Sequence, residues 1–160
     1  MPILAPPRIT GRRGPWEIKY VPEAPGQSFK RGDWLMNSAG KAAIAAPVWN
    51  NVGNVTLYGM AAAPASGVTD TLVPVYWPLP GAEVLLPTYH TTESSAVQSL
   101  GDAANGAQYP LRNHGGVWCA NKSAAGSNNR VTLVELYDPP GTVYGLNWWQ
   151  PIRANLAWGT

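Results

Sequence analysis

Charge is scarce in this 160-residue chain: Asp, Glu, Lys and Arg together make up 12% of it, about half of the ~25% usual for a soluble domain. So few acids and bases leave little from which to build facing carboxylates or ion-pair networks. Cysteine occurs once, as Cys119, which excludes an intrachain disulfide. A lone cysteine is read as a small buried hydrophobe, and the lack of disulfides leans towards assembly in a reducing compartment. Histidine occurs twice, at His90 and His114. The net charge is only +2, too mild for the basic stripes that nucleic-acid binding requires. No apolar run approaches the roughly 20 residues of a membrane span. The opening Met1-Pro2-Ile3-Leu4-Ala5-Pro6-Pro7 has neither a charged leader nor a continuous apolar stretch, so no signal peptide is expected.

The residues that carry chemistry do not assemble into a motif. No Gly-x-Ser-x-Gly elbow occurs, and no Gly-rich phosphate loop precedes a helix. Most of the acids, among them Glu23, Asp33, Asp70 and Asp138, fall in predicted turns or in the N-terminal segment, where acids serve as turn formers. His114 and Cys119 together make only half of a zinc site. Arg31-Gly32-Asp33 reads as a turn before a strand. Catalytic, cofactor-binding and metal-binding residues are therefore expected to be none, and the chain is not expected to be an enzyme.

Large aromatics and backbone punctuation are abundant. There are 8 tryptophans, 7 tyrosines, 17 glycines and 16 prolines. Proline and glycine spaced throughout leave room only for short elements, which predicts an all-β sandwich or barrel of short antiparallel strands. Strands are expected at 34–37, 41–46, 55–62, 72–77, 83–86, 108–111, 117–120, 130–137 and 142–150. One short helix is expected at 94–100, ended by Gly101.

Residues 1–27 read as an extended N-terminal arm, with the β-rich domain at 28–160. Six prolines in the arm sit among Arg8, Arg12, Arg13 and Lys19. Within it, Trp16, Ile18 and Tyr20 alternate with Glu17 and Lys19, which places the three apolar side chains on one strand face. Such an arm can add itself to another sheet. Trp148 and Trp149 must point to opposite faces of their strand. Eight tryptophans are too many for one small core, so an exposed set is expected. It would serve either a protein interface, where Trp and Tyr dominate binding energy, or a sugar-stacking platform.

The order of segments resembles the small β-rich decoration, or cement, proteins of tailed bacteriophages. The resemblance runs over roughly residues 27–152. It is carried by Phe29-Lys30-Arg31-Gly32-Asp33-Trp34-Leu35 with the hairpin after it, Val84-Leu85-Leu86-Pro87, Gln108-Tyr109-Pro110-Leu111-Arg112 and Gly115-Gly116-Val117-Trp118. It closes on Val131-Thr132-Leu133-Val134-Glu135-Leu136-Tyr137-Asp138-Pro139-Pro140-Gly141-Thr142-Val143-Tyr144-Gly145. These are loose patterns of strand and turn. The resemblance implies a virion protein on the outer capsid surface, made in the host cytoplasm. It would bind the major capsid protein and stabilise its contacts, as a homo-oligomer with a trimer favoured, without cofactor, nucleic acid or membrane. The interface residues expected are Arg8, Arg12, Arg13, Trp16, Ile18, Tyr20, Trp148, Trp149 and Trp158. The alternative is a carbohydrate-binding or receptor-binding β-domain of a head fibre or tail.

Overall fold

The computed structural model of the chain describes residues 11–45, 56–124 and 129–156. In chain order the strands are β1 (Arg12–Arg13), β2 (Trp16–Pro22), β3 (Trp34–Ser38), β4 (Lys41–Ile44), β5 (Leu57–Ala61), β6 (Leu72–Pro78), β7 (Glu83–Tyr89), β8 (Gln108–Tyr109), β9 (Leu111–His114), β10 (Val117–Asn121), β11 (Val131–Leu136) and β12 (Leu146–Pro151). One α-helix, α1 (Leu100–Ala104), lies between β7 and β8. The chain is all-β with one short helix, as its punctuation predicts. The strands sort into two compact units, one holding β1 and β7–β12 and the other β2–β6.

In the first unit, seven strands form one sheet in the order β8-β11-β12-β7-β10-β9, with β1 added to β7. β7 is central. It pairs with β12 on one side, Trp149 opposite Val84. On the other side it pairs with β1 at its start, Arg12 opposite Val84, and with β10 in parallel at its end, Ala120 opposite Thr88. Neighbours on both sides match a strand buried from Val84 to Tyr89. β9 and β10 form a hairpin on Gly115 and Gly116, whose φ of 60° and 88° suit the tight primed turn. In sequence β11 places Val131 and Leu133 on one face and Val134 and Leu136 on the other, which predicts apolar character on both faces, but the structure differs. A bulge between Leu133 and Glu135 breaks its register, leaving Val131 and Leu133 buried and Val134 exposed.

The helix begins later than the residue pattern suggested. Ser99 caps it: its hydroxyl accepts from the Asp102 amide at 3.1 Å, and the Asp102 carboxylate accepts from the Ser99 amide at 2.7 Å. The carbonyls of Ala96 and Gln98 accept instead from the amides of Tyr144 and Gly141. Only a single 3-10 turn, Glu93–Ser95, forms before the helix, and Gly101, expected to end the helix, lies inside it.

In the second unit, five strands run in the order β2-β6-β5-β3-β4. Beyond β2 the chain crosses to the opposite edge, where Glu23 bridges to Ala42 and the Ala24 amide donates to the Ala42 carbonyl at 2.9 Å. The sheet is thus curled upon itself. Its core gathers Val21, Phe29, Leu35, Ala42, Tyr58, Ala61, Val73 and Val75. Arg31-Gly32-Asp33 is a turn before β3, as expected: the Asp33 amide donates to the Lys30 carbonyl, and the Asp33 carboxylate accepts from the Lys30 amide.

The described part of the expected arm, residues 11–27, is extended, but it is paired within the chain. β1 joins the sheet of the first unit, and all of β2 pairs with β6 from Trp16 opposite Pro78 to Pro22 opposite Leu72. Val21 and Phe29 enter one core, so no break separates arm from domain at residue 27.

Candidate association surface

Strand β2 is the edge of its sheet, and the alternation of its side chains decides what it presents. Glu17, Lys19 and Val21 share the face that leads to the core, where Val21 is buried. Lys19 lies with Nζ 4.0 Å from the centroid of the Trp77 ring, a cation–π contact. The other face carries Trp16, Ile18 and Tyr20. Ile18 is 53% exposed and Tyr20 66%, while Trp16 is half-buried. Register extends this face onto β6: Ile18 lies opposite Tyr76, Tyr20 opposite Pro74 and Pro22 opposite Leu72, itself 61% exposed. Opposite residues share a face. Ile18, Tyr20, Leu72, Pro74 and Tyr76 therefore form a continuous, largely apolar strip on the sheet. Arg31 borders it and donates from a guanidinium nitrogen to the Tyr76 hydroxyl at 3.1 Å.

The backbone of β2 alternates as well. In an antiparallel ladder every second residue turns its amide and carbonyl to the neighbour, and those between turn away. The Glu23 amide donates to the Thr71 carbonyl, and the Leu79 amide donates to the Pro15 carbonyl. The odd-numbered residues thus face β6. The amides and carbonyls of Ile18 and Tyr20 face away from it, along an edge of the sheet that no other described strand pairs with.

The other expected interface residues are placed differently. Trp149 is fully buried, its Nε1 donating to the Leu86 carbonyl at 3.1 Å and its ring tilted against Tyr109. Trp148 faces the other way, as expected of adjacent strand residues, and the Arg13 guanidinium covers its ring at 4.3 Å. Arg13 also donates from Nε to Glu83 and from a terminal nitrogen to Glu135 at 2.6 Å. Arg13 and Trp148 are thus partners of each other within the first unit, tying β1, β7, β11 and β12 together. Arg12 is exposed on β1. Arg8 and Trp158 lie outside the described residues, as does Trp49. Of the remaining tryptophans, Trp34, Trp77 and Trp118 are buried.

Two features escaped the sequence reading. Leu72 and Tyr76 were not expected in the surface, although they alternate with Val73, Val75 and Trp77 in the strand period. Glu23 is buried, although it was grouped with turn-forming acids. His114 lies against Tyr89 with ring centroids 4.7 Å apart. Cys119 is buried and donates from Sγ to the Arg112 carbonyl at 3.3 Å. Among the described residues no group of three or more His, Cys, Asp or Glu side chains is placed to hold a metal. Comparison of the chain with models of known protein families, with curated proteins and with solved structures gave no match.

Proposed function

We propose that this chain is a decoration protein that binds the outside of a mature viral capsid and stabilises contacts between major capsid proteins, acting by contact and not by catalysis. The observation that carries this reading is the strip of Ile18, Tyr20 and Leu72, each more than half exposed on one sheet face. Aromatic and aliphatic side chains held in water gain about 25 cal/mol for each Å² that a partner covers. Tyr is among the residues that dominate interface energies. The low charge of the chain reduces the desolvation cost of covering this face. Many copies bound to one lattice act in parallel, so a modest contact suffices for each.

The capsid as partner, its outer surface as location and a homo-oligomeric state come from the resemblance to phage decoration proteins. The glycan-binding alternative needs open indole faces. Among the described tryptophans, Trp34, Trp77, Trp118 and Trp149 are buried, Trp148 lies under Arg13 and Trp16 is half-buried, which favours a protein partner. The test is to mix purified protein with mature, undecorated capsids and image them. A regular outer layer in many copies is expected, with no sugar preference on a glycan array. A bare capsid would overturn the proposal.

A further inference from the structure

The face of β2 and its open edge are different surfaces. The side chains of Ile18 and Tyr20 make the face, and their backbone groups make the edge. Among the described residues no strand pairs with β2 on that side. The edge is bounded. Pro22 has no amide to offer, and the Ala24 amide is already given to β4. An open strand edge is a template for another strand.

The residues along this edge are complementary to their own reverse. Around Ile18 stand Glu17 and Lys19, and beyond them Trp16 and Tyr20. We infer that β2 pairs antiparallel with β2 of a second copy of this chain, about a two-fold axis at Ile18. The inference rests on the association reading above and adds a further partner, another copy of the same chain. In this register Ile18 meets Ile18, Trp16 meets Tyr20 and Glu17 meets Lys19, each twice by symmetry. The outward amides and carbonyls of Ile18 and Tyr20 fall in the hydrogen-bonded pairs. Glu17 and Lys19 then fall in the non-hydrogen-bonded pairs, where facing Cα atoms are closest, at about 4.5 Å.

The charges select the register. An axis at Glu17 sets two carboxylates against each other, and an axis at Lys19 sets two ammonium groups against each other, both unfavourable. An axis at Trp16 or Tyr20 leaves neither charge opposite its complement. Lys19 lies on the Trp77 ring, on the sheet face that it shares with Glu17. The contact is isologous and closes on itself, giving a dimer and not a fibre. It is a two-fold contact, distinct from the three-fold association that the resemblance implies. It also sets two apolar strips side by side on one continuous sheet face, which doubles the surface offered to a capsid.

Sedimentation equilibrium on the full chain tests this, with capsid binding measured on the same preparations. The wild type is expected to dimerise as concentration rises. Glu17→Lys should weaken the dimer by about tenfold or more, since two attractive pairs become repulsive. Adding Lys19→Glu to it should restore the dimer. Lys19 also packs on Trp77, so circular dichroism checks the fold of every variant. If the double variant unfolds, Ile18→Cys with a short bis-maleimide decides instead, because Cys119 is buried. It should give a cross-linked dimer that Glu17→Lys abolishes. A wild type that stays monomeric, or a dimer indifferent to Glu17→Lys, overturns the inference. A monomer that still coats capsids overturns this inference alone, whereas a dimer that leaves capsids bare overturns only the decoration reading.

Discussion

One oxygen of the buried Glu23 carboxylate accepts two hydrogen bonds from a single residue, Ser66: one from its amide and one from its hydroxyl, both at 2.7 Å. The other oxygen accepts from the Gly67 amide at 2.8 Å. Glu23 directly follows β2, so this clasp fixes the end of the candidate association strand to a loop 43 residues away. Burial alone would raise the carboxyl pKa. The bonds from Ser66 and Gly67 outweigh it and hold the group below its ordinary value of 4.5. A carboxyl depressed in the folded state contributes stability that is fully present above pH 4.5 and is lost as pH falls through the folded value. Glu23→Gln is expected to cost about 1.5–3 kcal/mol at neutral pH. It should also flatten the loss of stability on acidification, measured by chemical denaturation from about pH 6 to about pH 2.5. A variant with the wild-type acid profile would contradict the clasp.

The Arg13 guanidinium is held between Glu83, Glu135 and the Trp148 ring. Arg13→Ala leaves two carboxylates near each other and uncovers the indole. A loss of about 1–2 kcal/mol is expected, combining a partly exposed ion pair with a cation–π contact. Tryptophan emission should shift to the red as Trp148 meets water. Unchanged emission and unchanged stability would show that the cluster is ornamental.

Gly59 lies in β5 with φ of 134°, and a Cβ there would overlap the carbonyl oxygen of Tyr76 on the neighbouring strand. Gly59→Ala combines backbone strain with a clash against main chain that has no room to move. A loss of about 3 kcal/mol or more is expected, read as a fall in midpoint denaturant concentration. A loss under about 1 kcal/mol would mean that β5 and β6 can separate at this point without penalty.

Burial pushes the Cys119 thiol up to about 12. It should therefore resist thiol reagents at neutral pH and react at the rate at which the unit opens. Labelling monitored by mass spectrometry across denaturant concentrations checks this. Rapid labelling of the native protein would contradict the buried placement.

Much of the fold was legible where one local rule dominates. Gly115-Gly116 marks a turn because both positions have φ above zero, although the strand before it runs to His114 and not only to the expected Leu111. The alternation of Trp16 to Tyr20 located the exposed strip because strand geometry has a strict period of two. Other features depend on partners distant in sequence. The helix started at Leu100, and the loop before β12 claims the carbonyls of Ala96 and Gln98. Trp149 and Trp148 were separable by face, but nothing local said that Arg13, over 130 residues earlier in the chain, would cover Trp148. Glu23 looked like a turn acid because its three donors lie in another loop. Leu72 and Tyr76 joined the strip only through the β2–β6 register, which residue order alone does not disclose.

The role assigned to the strip rests on the exposed face of β2 and β6, and Leu72 lies on that face without touching the open edge of β2. Binding isotherms to undecorated capsids, comparing the wild type with folded Leu72→Asp, test it most directly. The wild type should saturate at many copies per particle, and the variant should bind about tenfold more weakly or worse. A folded Leu72→Asp variant that coats capsids with undiminished affinity would contradict the role given to this face.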